Sequence, residues 1–136
     1  QADSEEFNPQ AHHKVINVPQ GRIVDDKPEM RLGKYPCVIK ADTLLYKAYN
    51  AEYAEERHRH RYEINIDYKA RLEEKGMICS GLSPDNKLIE AIELADNDWF
   101  IGVQFQPEFK SRPNRAHPLF RDFIASALKY NKKRGD

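Results

Sequence analysis

Apolar positions in residues 1–31 are scattered among polar residues and the prolines Pro9, Pro19 and Pro28, so this part is predicted to be loop-rich, with a short strand at Val15–Val18 and a turn at "VDD". "RLGKYPCVIK", Arg31–Lys40, gathers β-branched residues near its end and predicts a strand. Asp42 is predicted to cap a short helix over "TLLYKAY", with Leu44, Leu45 and Ala48 on one side. "ERHRHRYEIN", Glu56–Asn65, alternates strictly and predicts a strand. Asp67 is the expected cap of a helix running to Lys75, with Tyr68 and Leu72 on one face and Gly76 just past its end. "MICSGL", "KLIEAIEL" and Trp99–Phe105 read as three strands separated by the turns "SPDNK" and "ADND", which makes them antiparallel neighbours. Pro118 opens a last helix whose stripe of Leu119, Phe120, Phe123, Ile124, Ala127 and Leu128 is expected to pack on the sheet, with "KKR" at its end to complement the helix dipole.

The predicted order is strand, helix, strand, helix, three strands, helix. It describes an α/β fold, a mixed sheet with an antiparallel part flanked by helices. No run of parallel βαβ units stands at its front, so the sheet reads as half of something larger.

Composition narrows the function classes. The chain has 136 residues, 40% hydrophobic and 32% charged, the balance of one globular domain with a core. Lys plus Arg and Asp plus Glu are 22 each, which argues against a dedicated nucleic-acid or membrane-surface protein. No apolar run is long enough for a transmembrane helix and no basic-then-apolar leader stands at the start, so the expected location is the cytoplasm. Cys37 and Cys79 form no C-x-x-C motif and read as two reduced thiols in or near strands. The chain opens on Gln-Ala-Asp rather than Met, as expected of a processed chain or a piece of a longer one.

Two stretches carry candidate chemistry. On a strand, Arg57, Arg59, Arg61 and Glu63 point one way and His58, His60 and Tyr62 the other. The two histidines lack a third ligand at a supporting spacing, so a packed or hydrogen-bonded pair is expected and no metal. The three arginines read as a ladder of salt bridges; the alternative is a grip on phosphates, nucleic acid or a carboxylate, for which the planar guanidinium is well suited. At the end of "WFIGVQFQPEFK", Pro107 stops strand pairing and leaves Gln106 and Glu108 at the sheet edge. Such a carboxylate orients a histidine in a catalytic triad, but none adjoins it here, and taken alone the stretch reads as a surface turn.

Taken together, "MRLGKYPC", "ERHRHRYEIN" and "VQFQPEFKSRP…HPLF" closely resemble the C-terminal glutaminase domain of CTP synthase, from "QADSEEF" to the final helix. The resemblance implies a class I glutamine amidotransferase domain of flavodoxin-like fold. In that family glutamine is hydrolysed by a Cys–His–Glu triad, and the ammonia aminates UTP at the expense of ATP. ATP and Mg belong to a synthetase domain, so no cofactor is expected on this chain. Carried over residue by residue, Glu6 and Arg61 match positions that contact bound glutamine, Glu108 matches the triad acid, and Gln106 falls where the family has histidine. The pairing is chemically sensible, because a glutamine zwitterion offers an α-carboxylate to a guanidinium and an α-amine to a carboxylate.

Two departures follow from the same resemblance. The family nucleophile lies just upstream of the segment matching residues 1–7, so residues 1–136 are expected to be the C-terminal part of one amidotransferase domain without its cysteine. A glutamine at position 106 hydrogen-bonds but cannot cycle a proton. The chain alone is therefore expected to lack glutaminase and ligase activity. Its expected partners are glutamine, the family ligand, with binding weak or lost here, and the missing amidotransferase half, a synthetase domain or a second copy. The alternative is a non-catalytic binding or assembly module that uses an exposed sheet edge.

Overall fold

The structure, a computed structural model, describes residues 1–134. The strands among them are β1 (Ala2–Ser4), β2 (His13–Asn17), β3 (Ile23–Val24), β4 (Lys27–Pro28), β5 (Arg31–Ile39), β6 (Tyr53–His60), β7 (Glu63–Ile64), β8 (Met77–Leu82), β9 (Ile89–Leu94) and β10 (Ile101–Val103). The helices are α1 (Leu44–Tyr49), α2 (Lys69–Glu73) and α3 (Pro118–Arg134). The main sheet has the order β10-β9-β8-β5-β6 with every neighbouring pair antiparallel. A smaller sheet, β1-β2-β7, joins β1 to β2 in parallel, so strand directions are mixed, as expected of this α/β fold. None of the described helices is long and apolar enough to cross a membrane.

The first 31 residues hold more structure than their loop-rich reading. Asp25 and Asp26 both adopt positive φ, 50° and 59°, and close the β3–β4 hairpin by the two-residue turn whose twist suits paired strands.

The β5–β6 register sorts the arginine–histidine stretch. Arg31 lies opposite His60, Gly33 opposite His58 and Tyr35 opposite Glu56, all on the inner face, while Leu32 lies opposite Arg59 and Lys34 opposite Arg57 on the outer face. The alternation holds to His60 and then breaks: Arg61 and Tyr62 form a kink, and Glu63 starts β7 in the other sheet, buried instead of on the arginine face. The single strand expected over Glu56–Asn65 is thus two.

Local caps fix the helix starts, joined at α1 by a side chain distant in sequence. Thr43, not Asp42, caps α1: its hydroxyl accepts from the Tyr46 N–H, while Asp42 sits at φ 62° just before it. The next donors, the N–H groups of Leu44 and Leu45, go to the buried Glu93 carboxylate of β9 at 2.9 and 2.8 Å. The helix expected from Asp67 opens instead as a 3-10 turn, Ile66–Tyr68, capped by Asn65, and continues as α2. Gly76 follows at φ +88°, the left-handed position expected after that helix.

The core lies between one face of the main sheet and α1, with Cys37, Ile39, Leu45 and Ala91 at its centre. Gly81 lets β8 press on it, because a Cβ there would stand 2.7 Å from Cys37 Sγ. α3 docks through Leu119, which is buried, and through Arg121, which donates to the Ala48 carbonyl at 3.0 Å. The rest of its stripe does not pack on the sheet: Phe123, Ile124 and Leu128 are 53%, 55% and 59% exposed. β10 likewise ends the sheet with no strand on its outer side among the described residues.

Candidate functional site

Glu6, Arg61, Tyr62, His60, Ile16 and Gln104 line one cleft of about 370 Å³. Glu6 arrives on the loop after β1, and Arg61 on the kink between β6 and β7. Their carboxylate and guanidinium make no hydrogen bond or ion pair with any described residue, so a cleft with one free charge of each sign opens to solvent. The kink is held from behind. The Tyr62 carbonyl accepts from His60 Nδ1 at 3.1 Å and from Gln104 Nε2 at 3.5 Å, and Gln104 Oε1 accepts from the Ile64 N–H at 3.0 Å.

The expected ladder of salt bridges along the arginines does not form. Arg57 and Arg59 face Lys34 and Leu32 across the strands, and the nearby acid, Glu55, is taken by Lys34 at 2.6 Å. Arg57 and Arg59 instead line an outer cleft with Met30, Leu32 and Phe109. His58 and His60 form a hydrogen-bonded pair, Nδ1 to Nε2, at 3.0 Å.

Gln106 is bound as a strand-edge clamp. Its backbone N–H donates to the Arg57 carbonyl, its Oε1 accepts from the Arg59 N–H at 2.9 Å and its Nε2 donates to the Arg59 carbonyl at 3.2 Å. A carboxamide offers donor and acceptor side by side, which is what a strand residue presents along its edge. Farther along the same edge, Lys110 Nζ donates to the Glu55 carbonyl at 2.5 Å. β6 is therefore covered by the chain's own turn and is not an open edge. Glu108 lies in the 3-10 turn Pro107–Phe109, exposed and without a partner among the described residues.

Behind this turn stands a buried network that the sequence did not announce. Glu56 Oε1 accepts from Tyr49 Oη at 2.8 Å, from His117 Nε2 at 3.1 Å and from Lys110 Nζ at 3.1 Å. His117 Nδ1 accepts from the Leu119 N–H at 3.3 Å, so the ring proton is on Nε2, where it faces Glu56. Burial alone would raise the Glu56 carboxyl, but the hydrogen bonds from His117, Tyr49 and Lys110 outweigh it and hold the carboxyl below its ordinary value. Lys110 belongs to the segment just past Glu108, so the network ties that turn to α1 and to the start of α3.

The two thiols are poor nucleophiles. Cys37 sits in the core and is pushed up to about 12 by burial and by the nearby Glu90 and Glu56 carboxylates. Burial, aided by Glu73, also raises Cys79. A thiol held that high carries almost no thiolate at neutral pH.

Known proteins give this geometry a context. Residues 10–126 match the family model for glutamine amidotransferase class-I. The CTP synthase of Moorella thermoacetica is 55% identical over 130 residues, 94% of this chain and 24% of that protein. The CTP synthase of Pelotomaculum thermopropionicum is 54% identical over 135 residues, 98% of this chain and 25% of that protein. The chain thus spans about a quarter of the length of the curated relatives it matches. The glutaminase domain of Trypanosoma brucei CTPS, solved with bound acivicin, superposes with a TM-score of 0.89 at 33% identity, over 94% of this chain and 51% of that one. A protein of Thermoplasma acidophilum described as a "putative gmp synthase subunit a protein" shares the fold alone, with a TM-score of 0.58 at 14% identity over 79% of this chain and 49% of that one. This chain belongs to the class-I glutamine amidotransferase family, and within it matches the glutaminase domain of CTP synthases.

Proposed function

We propose that residues 1–136 are the C-terminal part of a CTP synthase-type glutamine amidotransferase domain, that glutamine is its ligand, and that the chain alone does not hydrolyse it. The observation that carries this reading is the cleft in which Arg61 and Glu6 stand with unpaired charges of opposite sign. Arg61 takes the α-carboxylate, Glu6 the α-amine, and Glu108 holds the position of the triad acid. Gln106 occupies the family histidine's position with its amide committed to Arg59, and neither thiol supplies a thiolate. Glutamine hydrolysis for UTP amination, with ATP and Mg bound by a synthetase domain, is then the work of the larger enzyme to which this part belongs.

Calorimetry with L-glutamine and an ammonia-release assay on the 136-residue chain test the reading. Binding without turnover is expected. Arg61→Ala and Glu6→Gln are each expected to weaken binding by about ten- to a hundredfold, the effect of one lost charge-assisted hydrogen bond. Unchanged affinity in both variants would remove the cleft as the ligand site, and ammonia release near family rates would refute the inactivity.

A second reading, an assembly module, rests on the exposed stripe of α3 and the open side of β10. The other half of an amidotransferase domain, a synthetase domain or a second copy are the partners of this reading. The chain on its own is expected to self-associate, with Phe123→Glu plus Ile124→Lys returning it to a monomer in sedimentation velocity. A stable monomer before those changes would count against this surface being sticky.

A further inference from the structure

Behind the Arg61 kink lies a charge cluster separate from the apolar core. Arg31 donates to Glu90 through both terminal nitrogens and to Glu63 Oε1 at 3.4 Å. All three side chains are buried, and the aromatic ring of Tyr35 covers the Arg31 guanidinium at 4.6 Å. One cation thus faces two carboxylates where little water reaches. The histidine pair continues the cluster with a fixed polarity. A carbonyl only accepts, so His60 Nδ1 carries the proton toward Tyr62 O; His60 Nε2 is then the acceptor, and His58 Nδ1 the donor. That leaves His58 Nε2 a bare, buried acceptor 3.8 Å from Glu90 Oε2, itself an acceptor, and Glu63 Oε2 is buried without a donor as well. In the cluster two buried acceptors, His58 Nε2 and Glu63 Oε2, thus stand without a donor against one buried donor without an acceptor, Arg31 Nε, and the formal charge of Arg31, Glu63 and Glu90 together is negative. One further proton would bring the cluster to neutrality.

The cluster also brackets the kink. His60 is the last residue of β6 and Glu63 the first of β7, with Arg61 and Tyr62 between them, and His60 Nδ1 lies 3.7 Å from Glu63 Oε1. We propose that Glu63 takes one proton from solvent to complete this cluster, and that its release shifts the Arg61–Tyr62 kink, making the cluster a proton-linked latch on the cleft. The consequence for carboxylate binding rests on the proposed role of Arg61.

Electrostatics agree with the geometry. Burial raises the Glu63 carboxyl most; Arg31 and the more distant Arg22 oppose this, Glu90 reinforces it, and the result is about 7. His58, lowered to about 3 by burial and by Arg31 and His60, is not the seat of the proton. His60 is also lowered, chiefly by burial. A carboxyl raised in the folded state contributes stability that is fully present below about pH 4.5 and is lost as pH rises through about 7.

The test is a pH titration of the 136-residue chain by NMR, with 13C-labelled glutamate and 15N-labelled backbone. The expected result is one glutamate carboxyl with a midpoint between about pH 6 and 8, and amide shifts of Arg61 and Tyr62 that follow the same midpoint. Glu63→Gln is expected to abolish both transitions. The unsubstituted chain decides the matter even where that variant fails to fold: no carboxyl titrating above about pH 6, or Arg61 and Tyr62 amides flat across the range, overturns the latch. L-glutamine affinity measured over the same range separates the two readings. A shared midpoint with no glutamine binding at any pH upholds the latch and removes the glutamine site, whereas binding without the midpoint does the reverse.

Discussion

Arg31→Met is expected to be the most damaging single change to stability, a loss of about 3–5 kcal/mol and a thermal midpoint lower by roughly 10–20 °C. The reason is what it leaves behind. Arg31 is the one cation within hydrogen-bond reach of Glu90 and Glu63 among the described residues, and both carboxylates are buried. Methionine fills similar space but strands the Glu90 carboxylate, and Glu63 wherever it is ionised, without a counter-charge, and domains are stable by only about 5–15 kcal/mol. The double change Arg31→Met with Glu90→Gln is expected to lose less than Arg31→Met alone, because the stranded carboxylate is the costly part. Lys34→Met, which breaks the exposed pair with Glu55, is expected to leave the melt where it was. Thermal and urea unfolding of the four chains check the order. A loss under about 1 kcal/mol for Arg31→Met would mean that Glu90 is not an ionised partner of Arg31.

Gln106→His is expected to return no glutaminase activity, with ammonia release still at least about ten-thousandfold below a complete triad. A histidine at this position supplies a base, but a base needs a thiol to deprotonate. Cys37 lies in the core with its thiol pushed up to about 12, and burial raises Cys79 too. The same change is expected to loosen the sheet edge. The carboxamide of Gln106 serves the donor and the acceptor of Arg59 together, and a neutral imidazole holds its one donor and one acceptor on ring nitrogens that point away from each other. One backbone bond to Arg59 is lost, about 1 kcal/mol, read as faster amide exchange at Arg59. Glutamine turnover rescued by this one substitution would show that one of the two thiols does reach the site.

The parts of the fold written in local pattern were readable. β5, β8 and β9 follow from β-branched runs between turn residues, and the start of α3 follows from Pro118. The departures arise where a distant residue decides. Asp42 looks like the cap of α1, but Thr43 takes that role and Glu93, from another strand, receives the next N–H groups. The alternation from Glu56 to Asn65 continues in the letters, but Arg31 draws Glu63 inward and the strand kinks at Arg61. The stripe of α3 identifies an apolar face correctly and says nothing of what covers it. At the site, Glu6 and Arg61 lie far apart in sequence, and only resemblance joined them before the cleft was seen. The Arg31 network and the carboxylate that caps α1 had a fainter signal: Glu90 and Glu93 stand inside "IEAIEL", where a charged residue in an otherwise apolar strand calls for a partner.

The main sheet has two unlike ends, and this fixes how far copies of the chain can add to one another. At β6 the backbone is already stitched by Gln106 and Lys110, while at β10 it stands bare. Among the described residues, a second copy can extend the main sheet strand to strand only at β10, and the joined pair then presents a sealed β6 at both outer ends. Growth of the main sheet by this route therefore terminates at a two-fold symmetric pair, because a fibre needs two open ends on every copy, whereas the main sheet has a single open end among the described residues.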